Sequence, residues 1–382
     1  MKLIMLIEIK IIFFISRLLG MGSGFTWPGH FALSTFPQML DSSFLALKKG
    51  CVILSGTNGK TTTAKLISHI LEKQGLKVVS NKSGANLLNG IVSAILLDKN
   101  IFGKNRSDIG VFEVDEFALP GVLEKIQPKV LLLLNLSRDQ LDRYGEVDII
   151  FEKWKEAVSK LNPSVPVVAD LSQEQFKQIP DLYSGHATYF NDSETYLHKT
   201  NLVGTFNAKN INACLVVCSI LGYEVEPCAK YLEDFSPAYG RGEVIDYKGK
   251  HFSVFLAKNP ASFNHNLELL TSGLLNPDTL LFILNDNIPD GRDVSWIYDV
   301  DPIKFKQVCG GRKLYIAGTR CLDMSVRLSY AGVSLNELSI FNDLKSAIKE
   351  MVKNKDCLDI MVLPNYSSML EVRKILTGKK IL

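Results

Sequence analysis

Short apolar runs alternate with amphipathic stretches along most of the chain. The apolar runs predict strands, and the stretches between them place apolar residues at helical spacing. The predicted strands are 51–54, 76–80, 109–114, 129–135, 165–169, 280–284, 313–317 and 360–363, and the predicted helices begin at 61 and 117 or cover 87–97 and 149–161. Because these strands are apolar throughout, helices must cover both of their faces. The pattern therefore predicts an α/β fold built on a parallel sheet.

A turn-rich, charged segment at 236–243 divides the chain. It separates the first series of strands and helices from a second one, in which alternating residues resume at Val244. We therefore predict an N-terminal helical segment over 1–40, a central domain over 41–236 and a C-terminal α/β domain over 237–382. A chain of 382 residues with 46% apolar content is long enough for these units.

Residues 1–19 are strongly apolar, but Lys2, Glu8, Lys10 and Arg17 interrupt them. A helix that spans a bilayer needs about 20 residues with few or no charges, so this segment is not predicted to span a membrane. No small-residue cleavage site follows it, which argues against a secretory signal. A buried first helix is the preferred interpretation, and a helix that rests on a membrane surface is the alternative.

Composition limits the classes of partner and the compartment that fit this chain. The net charge of +3 is nearly balanced for a chain of this length, so no nucleic-acid partner is expected. The seven cysteines are scattered without a C-x-x-C pair, which is typical of a reducing compartment and encodes no zinc site. We expect a cytoplasmic protein, and contact with the inner face of the membrane stays open.

Residues 56–63 read Gly-Thr-Asn-Gly-Lys-Thr-Thr-Thr and join a predicted strand to a predicted helix. Glycines let backbone N–H groups approach phosphate oxygens, and the start of the helix adds the positive end of its dipole. Lys60 is predicted to reach the β- and γ-phosphates of a nucleotide, and Thr61 or Thr62 to place a hydroxyl on Mg²⁺. Leu54 stands where the general P-loop has its first glycine, and a glycine-rich turn without a ligand is the alternative.

Acidic residues follow two neighbouring strands at the edge where a ligand of a parallel sheet should lie. Glu113 ends the strand at 109–114, and an acidic and polar cluster at 135–143 follows the next strand. Mg²⁺ prefers one or two carboxylates together with waters and phosphate oxygens, so Glu113 is the predicted ligand. Asp115 and Glu116 either belong to this site or are solvated loop charges.

Two later segments carry further candidates. Asn207 lies in a run that holds three asparagines within six residues at the start of a predicted helix. One asparagine there could be a helix cap, but three exceed what capping requires. The dense run Asp-Gly-Arg-Asp-Val-Ser-Trp at 290–296 occupies a loop of the C-terminal domain.

In this order the motifs resemble the Mur ligase superfamily. They are the phosphate motif, the strand that carries Glu113, the Gly-x-x-Asn-x-x-Asn helix start at 204–210 and the Gly-Arg-x-Glu boundary at 240–243. Segments at 83–87, 113–116, 138–146, 258–260, 290–296 and 327–332 resemble the MurT family within it, and the resemblance covers nearly the whole chain from about Arg17. It implies a Mur ligase-like P-loop central domain with a parallel sheet and a C-terminal Rossmann-like α/β domain.

The resemblance also implies a reaction. The MurT family is the synthetase subunit of lipid II isoglutaminyl synthase. Its members use ATP and Mg²⁺ to activate the α-carboxylate of D-isoglutamate in the lipid II stem peptide as an acyl phosphate. Ammonia from a GatD-like glutaminase subunit then gives D-isoglutamine. By this resemblance the chain is a glutamine-dependent carbon–nitrogen ligase that works as a heterodimer.

Residue roles follow from the same resemblance. Lys60 is a catalytic candidate, and the metal ligands are Thr61 and Glu113. Asp293 is the candidate that completes the Cys-His pair of the glutaminase, with Asp290 as the fallback, because orienting a histidine across a subunit boundary requires an exposed carboxylate. A salt bridge to Arg292 or a loop turn is the alternative for Asp293. The nucleotide-binding candidates are Gly56, Thr57, Asn58, Gly59, Lys60, Thr61, Thr62, Asn207 and Arg241.

Two departures from the family change the expectations. The four-cysteine zinc ribbon is missing between 170 and 202, so zinc is not expected. Gln140 stands beside Asp139 where many Mur ligases have a histidine, which argues against a second magnesium. Two other functions stay open: a stand-alone Mur or folylpolyglutamate-type amino-acid ligase, and a nucleotide-binding scaffold without catalysis.

Overall fold

The computed structural model describes residues 2–18, 24–81, 84–137, 147–237 and 239–379, and the statements on the fold refer to these ranges. They form two six-stranded sheets, each covered by helices on both faces. The α/β fold predicted from the alternating pattern is confirmed.

The elements follow one another in a regular alternation. The strands are β1 (Cys51–Ser55), β2 (Val78–Ser80), β3 (Ile109–Val114), β4 (Val130–Leu133), β5 (Val167–Asp170), β6 (Ala187–Phe190), β7 (Arg241–Tyr247), β8 (Lys250–Phe255), β9 (Thr279–Ile283), β10 (Lys313–Ala317), β11 (Leu338–Phe341) and β12 (Asp359–Pro364). The α-helices are α1 (Lys2–Leu18), α2 (Trp27–Thr35), α3 (Ser42–Leu45), α4 (Lys60–Lys73), α5 (Leu88–Asp98), α6 (Leu119–Lys125), α7 (Val147–Ser159), α8 (Ile179–Leu182), α9 (Thr205–Ile220), α10 (Val225–Lys230), α11 (Pro260–Thr271), α12 (Pro302–Cys309), α13 (Cys321–Tyr330), α14 (Leu344–Lys353) and α15 (Tyr366–Thr377). Short 3₁₀ turns cover Pro37–Met39, Glu174–Gln178, Leu197–Lys199, Ile288–Asp290, Ser295–Asp299 and Leu335–Glu337.

The first sheet is parallel throughout, in the order β2-β3-β1-β4-β5-β6. Its central strand β1 lies between β3 and β4, with Leu54 opposite Glu113 and Ser55 opposite Leu133. Strands β1, β3 and β4 are buried along their whole length. The carboxyl ends of these three strands therefore meet at one edge of the sheet.

Several element ends differ from the predicted ones for local reasons. The strand predicted at 76–80 begins only at Val78, because Leu76 N still donates to Leu71 O at the end of α4. The strand predicted at 129–135 ends at Leu133, because Asn135 turns toward the residues after β1 and its carbonyl accepts from Thr57 N. The helix expected from 117 begins at Leu119. Strands β6, β7, β8 and β11 were not among the predicted strands; β6, β7 and β11 lie at sheet edges and are only partly buried, whereas β8 lies inside its sheet.

The two faces of the first sheet have separate cores. One core is formed with α4 and α9, and it contains Leu66, Ile70 and Ile211. The other contains buried residues of α1, α5 and α7, among them Ile9 and Trp154. The N-terminal segment predicted over 1–40 therefore packs onto the first sheet rather than forming a core of its own.

Helix α1 is buried on one face only. Met5, Leu6 and Ile9 are buried, and the helix packs against α2 and α5. The prediction of a buried first helix is thus correct for one face, whereas the opposite face exposes apolar side chains. Within the described ranges no helix combines the length and the hydropathy needed to cross a membrane.

The second sheet has the order β11-β10-β9-β12-β8-β7 and is parallel except for the antiparallel pair β7 and β8. That pair is a hairpin whose turn holds Lys248 and Gly249 at positive φ. The predicted domain limit between 236 and 237 falls between helix α10 and strand β7. The first sheet is complete before this point, and the second begins after it.

Candidate functional site

The glycine-bracketed turn after β1 has a backbone that only glycine can adopt. Gly56 has φ +148°, and Gly59 has φ +86° at the start of α4. A Cβ atom on Gly59 would lie 2.4 Å from Asn210 Oδ1, and one on Gly56 would lie 2.8 Å from Asn135 N. The two glycines predicted to cradle phosphate are therefore also required by the close approach of neighbouring residues.

Residues after β4 hold this turn in shape. Thr57 N donates to Asn135 O at 2.9 Å, and Asn58 N donates to Asn135 Oδ1 at 2.9 Å. Ser137 N donates to Thr57 Oγ1 at 3.0 Å. In the described part of the chain no side chain caps the first turn of α4. A rigid turn that leads into an uncapped helix N-terminus is suited to binding an anion.

Lys60 lies in an ion pair at the start of α4. Its Nζ is 2.9 Å from Glu116 Oε2, and it also donates to the carbonyl oxygens of Gly56 and Thr57. Glu116 and Asp115 are both buried. The interpretation of these two carboxylates as solvated loop charges is therefore wrong, because β3 leads directly into a packed turn. In this arrangement Lys60, which was predicted to bind phosphate, is instead paired with Glu116.

The two predicted metal ligands are in direct contact. Thr61 Oγ1 donates to Glu113 Oε2 at 2.7 Å. Glu113 is buried, and burial raises the pKa of its carboxyl, while the hydrogen bond from Thr61 and the charges of three cations act in the opposite direction. These cations are Lys60, Arg241 and Lys258. Residues from both halves of the chain thus converge on one carboxylate.

The donor set suits Mg²⁺ bound together with a nucleotide. Among the described residues no three His, Cys, Asp or Glu side chains are grouped as a metal site. A hydroxyl and one carboxylate supply only part of an octahedral set, and phosphate oxygens and waters would have to supply the rest. Thr61 and Glu113 therefore fit a metal that arrives with its phosphate ligand. Asp139 and Gln140, which bear on a second metal, lie outside the described residues, as does the whole segment 138–146.

The loop before α11 carries the second sheet's contribution to the site. Asn259 is fully buried and accepts from Ser262 N at 2.8 Å, which caps α11. Its Nδ2 donates to Asn58 Oδ1 at 3.2 Å. Tyr366, at the start of α15, has a pKa raised first by burial and then by the charges of Glu113 and Asp290. The phosphate turn is therefore covered by loops of the C-terminal half.

Asn207 and Asn210 link α9 to the phosphate turn. Asn207 Nδ2 donates to Val203 O at 2.8 Å, and Asn207 Oδ1 accepts from Asn210 Nδ2 at 3.2 Å. Asn210 Oδ1 in turn accepts from Thr63 Oγ1 at 3.2 Å. Asn207, a predicted nucleotide ligand, is thus buried in a hydrogen-bonded chain. Asn210 lies nearer the turn and was missed, although it is the second asparagine of the motif at 204–210.

A cavity of about 350 Å³ opens beside the phosphate turn. Rings of Phe206 and His265 stack in it with centroids 5.2 Å apart and planes 2° from parallel. Burial is the main cause that lowers the pKa of His265. Lys209, one turn after Phe206 on α9, also lines the cavity and pairs with Asp170 at 3.3 Å. The cavity combines flat apolar rings with polar groups, and its size suits a small molecule.

The two candidate aspartates of the C-terminal domain differ in exposure. Asp293 is exposed, and its Oδ1 accepts from Ser295 N at 2.8 Å, an interaction that holds the pKa of its carboxyl below the usual value. Asp290 is buried and accepts from Ser367 N at 2.8 Å and from the Ser367 hydroxyl. Only Asp293 is accessible to another protein. Its contact with Ser295 is the loop turn named as its structural alternative.

Comparison with known proteins agrees with the motifs. Residues 54–189 match the Mur ligase middle domain, and residues 256–369 match the MurT ligase C-terminal domain. The subunit MurT of lipid II isoglutaminyl synthase (glutamine-hydrolyzing) from Streptococcus pneumoniae is 28% identical over 97% of this chain and 95% of its own length. The subunit of the same name from Staphylococcus aureus is 28% identical over 83% of this chain and 85% of its own.

Solved structures share the fold at low identity. Folylpolyglutamate synthase of Mycobacterium tuberculosis, complexed with ADP, has a TM-score of 0.69 at 12% identity and covers 91% of this chain and 94% of its own. MurF ligase of Thermotoga maritima in complex with ADP has a TM-score of 0.64 at 16% identity and covers 92% and 82%. Together the fold, the two domain matches and the similarity to MurT subunits identify the chain as a MurT-like ligase of the Mur ligase superfamily.

Proposed function

We propose that this chain is the ATP-dependent synthetase subunit of a lipid II isoglutaminyl synthase. ATP converts the α-carboxylate of D-isoglutamate in the stem peptide into an acyl phosphate and leaves ADP. Ammonia then attacks the acyl carbon, and phosphate leaves as D-isoglutamine forms. The observation that carries the proposal is the cluster of Lys60, Thr61 and Glu113 at the sheet edge that faces the C-terminal domain.

The nucleotide end of the site is built from the turn after β1. Phosphates would receive N–H groups from the first turn of α4 and the charge of Lys60 once it leaves Glu116. Bound Mg²⁺ would neutralise phosphate charge, with Thr61 and Glu113 as its protein ligands. The cavity beside the turn suits the nucleoside, with the stacked Phe206 and His265 as a flat wall.

The acceptor carboxylate must approach from the C-terminal half. Lys258 and Arg241 lie close enough to Glu113 for their charges to lower its pKa, so both would also act on anionic groups of substrate and nucleotide bound there. Tyr366 adds a hydroxyl on the same side. We assign catalysis to the region between the central domain, 41–236, and the C-terminal domain, 237–382.

A glutaminase partner fits the exposed end of the C-terminal domain. Helix α13 exposes Leu322, Val326 and Tyr330 at intervals of one turn, and Tyr298 packs beside Tyr330 with ring centroids 6.3 Å apart. Arg320, at the start of this helix, is near enough to lower the pKa of Asp293. An exposed apolar stripe next to an exposed aspartate is suited to a partner that contributes a histidine. The relatives are named as subunits, which also implies a partner.

A stand-alone amino-acid ligase is the second candidate. The specific observation in its favour is the likeness to folylpolyglutamate synthase, which is a fold-level likeness alone. Such an enzyme would join an amino acid to its substrate without ammonia or a glutaminase.

Mass spectrometry of the lipid-linked product separates these candidates. Lipid II is incubated with the full chain, a co-expressed glutaminase, Mg²⁺, ATP and glutamine. Amidation replaces –OH by –NH₂ and lowers the product mass by about one unit at the D-glutamyl residue. A parallel reaction with ammonium in place of glutamine tests the chain without its partner. An unchanged mass with both nitrogen sources would contradict the proposal, and a gain of one amino-acid residue would identify the ligase.

A further inference from the structure

Helix α1 exposes a continuous apolar stripe along its whole length. The stripe consists of Leu3, Ile4, Ile7, Ile11, Phe14, Ile15 and Leu18, whose exposed fractions lie between 41% and 76%. On a helix with 100° per residue these seven positions fall on the side opposite the buried Met5, Leu6 and Ile9. Single exposed apolar residues need no explanation, but a contiguous set on one helix marks an interaction surface.

A turn after α5 adds an apolar tip beside this helix. Ile101 is 45% exposed and Phe102 is 80% exposed. The turn lies against α1, because Lys10 Nζ donates to Lys99 O at 2.9 Å and a Cβ atom on Gly103 would lie 3.9 Å from Leu6 Cδ1. The side of α1 that carries Leu6 and Lys10 therefore lies next to the turn that exposes Ile101 and Phe102.

Exposed cations lie next to the apolar tip. Lys104 and Arg106 are on the same turn, and Lys48 lies with them around one open depression, which Asp108 also lines. Arg106 is close enough to Lys10 to contribute to the lowering of its pKa, although burial contributes more. Among the described residues no carboxylate forms an ion pair with Lys48, Lys104 or Arg106. Glu8 is the single acidic residue within α1, and it lies on the flank opposite Lys10.

We propose that α1 and the turn at 99–106 form a docking surface for an anionic lipid bilayer. The apolar stripe and the tip at 101–102 would enter the boundary between headgroups and acyl chains, and Lys104, Arg106 and Lys48 would contact anionic headgroups. A helix of 17 residues is about 25 Å long, which suits a helix that lies in the membrane plane. The cations beside the tip favour a lipid surface over a second copy of this chain, since two such surfaces would bring cations together.

This inference is independent of the reaction proposed above. It concerns residues outside the nucleotide site, and its tests need neither ATP nor a glutaminase. A protein that binds membranes but fails to amidate lipid II would contradict only the proposed reaction.

The first test is flotation of the full chain with vesicles. Vesicles of phosphatidylcholine alone are compared with vesicles that also contain phosphatidylglycerol. We expect flotation with the anionic vesicles, weakened by high salt because screening acts on exposed charges. Failure to float with anionic vesicles at low salt overturns the proposal.

Variants identify the surface. Ile4→Gln combined with Ile11→Gln, and Lys104→Glu combined with Arg106→Glu, should each weaken binding to anionic vesicles by about tenfold or more. The matched control is Leu274→Gln combined with Ile303→Gln, two exposed apolar side chains of the C-terminal half, which should bind as the wild type does. Equal binding by the wild type and both test variants would place the contact elsewhere and overturn the proposal.

A label on the turn reports contact directly and does not depend on how the helix variants fold. All seven native cysteines are buried, so an environment-sensitive fluorophore on Phe102→Cys reacts selectively at the tip. We expect a severalfold rise in emission when anionic vesicles are added, and no change for the same label on Ile303→Cys. An unchanged signal at position 102 overturns the proposal. So does a self-association of the free protein that the Ile4→Gln, Ile11→Gln variant abolishes, because a second copy would then cover the stripe.

Discussion

At the scale of single residues, the polar groups of the site are paired with one another. Glu116 pairs with Lys60, and Thr61 donates to Glu113. All of these groups are buried or half-buried at one sheet edge. To bind there, a nucleotide would have to replace these contacts between residues with contacts of its own.

If Lys60 stabilises charge on the transferring phosphoryl group, as proposed, it should be essential for turnover. Lys60→Ala is expected to lower ATP turnover by about 10²-fold or more with either ammonium or glutamine as nitrogen source. Phosphate release measures the effect. The control is Lys73→Ala at the other end of α4, where the lysine forms an exposed pair with Asp234. Turnover of Lys60→Ala near that of the wild type would remove Lys60 from the mechanism.

Glu113 should make the stability of the protein fall with rising pH. Burial raises the pKa of Glu113 in the folded state, so the unfolded chain loses this proton first. Stability is then lost as pH rises above the ordinary value of 4.5 toward the raised value. Without nucleotide, Glu113→Gln should lose less stability than the wild type between about pH 5 and pH 8 in urea unfolding.

Glu156→Gln serves as the control for that comparison. Glu156 is exposed, and within the described residues its ion pair is with Lys160. Parallel pH profiles of the wild type and Glu113→Gln would show that Glu113 does not carry a raised pKa.

Asp293 should separate the two nitrogen sources. If it orients the histidine of a glutaminase, Asp293→Asn should lower glutamine-dependent amidation by about 10²-fold or more and leave ammonium-dependent amidation unchanged. Asp343→Asn is the matched control, because Asp343 also caps a backbone N–H, that of Ser346, at 2.9 Å but lies in a different loop. An equal loss with both nitrogen sources would mean that Asp293 only shapes its loop.

At the scale of elements, the turn between β1 and α4 shows how a short motif depends on distant parts of the chain. The sequence of the turn predicts its backbone, yet the neighbours that confine it come from α9 and from the residues after β4. Gly59 therefore carries two constraints, a positive φ and the contact with Asn210.

A pair of glycine variants should separate these constraints. Gly59→Ala is expected to lower the free energy of unfolding by about 1–3 kcal/mol and to abolish nucleotide binding, because its Cβ would meet Asn210 Oδ1. Gly75→Ala has a similar φ of +82° with no atom within 4 Å, so it should cost only about 1–2 kcal/mol and leave nucleotide binding intact. Urea unfolding and nucleotide titration measure both effects. Equal nucleotide affinity in the two variants would show that the contact with Asn210 is unimportant.

Sequence patterns predicted the buried elements better than the edges. Strands β1, β3 and β9 were predicted within a residue of their ends, because each is a continuous apolar run between turns. The edge strands β6, β7 and β11 were missed, since half-buried strands carry no such run, and the interior strand β8 was missed because exposed His251 and half-buried Ser253 interrupt its buried residues. The role of Lys60 as the cation of the phosphate motif was predicted from its residue type. Its ion pair with Glu116 was not predicted, because the burial of Glu116 depends on how the turn after β3 packs. In that turn Trp154 Nε1 donates to the carbonyl of Glu116.

At the scale of the whole molecule, residues from the halves that carry the two six-stranded sheets meet at the site. The second half supplies Arg241 from strand β7 and Lys258 and Asn259 from the loop before α11, and the first half supplies the phosphate turn. Neither half contains the full set. In the proposed reaction, substrate activation would therefore depend on the contact between the halves, whereas partner binding would use the outer surface of the second half.

That outer surface should be separable from catalysis. Leu322→Asp combined with Tyr330→Asp places charge in the exposed stripe of α13 and should abolish co-purification of a glutaminase, while ATP turnover with ammonium stays within about twofold of the wild type. Leu274→Asp, at another exposed apolar position, is the control for surface charge alone. Intact co-purification with the double variant would move the partner surface elsewhere on the molecule.

The pair between Lys60 and Glu116 also has a consequence for the rate at which products leave. If Lys60 binds phosphate as proposed, a carboxylate 2.9 Å from it would compete for the same ammonium group. Glu116 would then pair with Lys60 again as phosphate departs, so it would both weaken nucleotide affinity and shorten the lifetime of the ADP complex. We expect Glu116→Gln to bind ADP more tightly and to release it more slowly in stopped-flow displacement. The ion pair between Lys60 and Glu116 would thus limit inhibition of the enzyme by its product ADP.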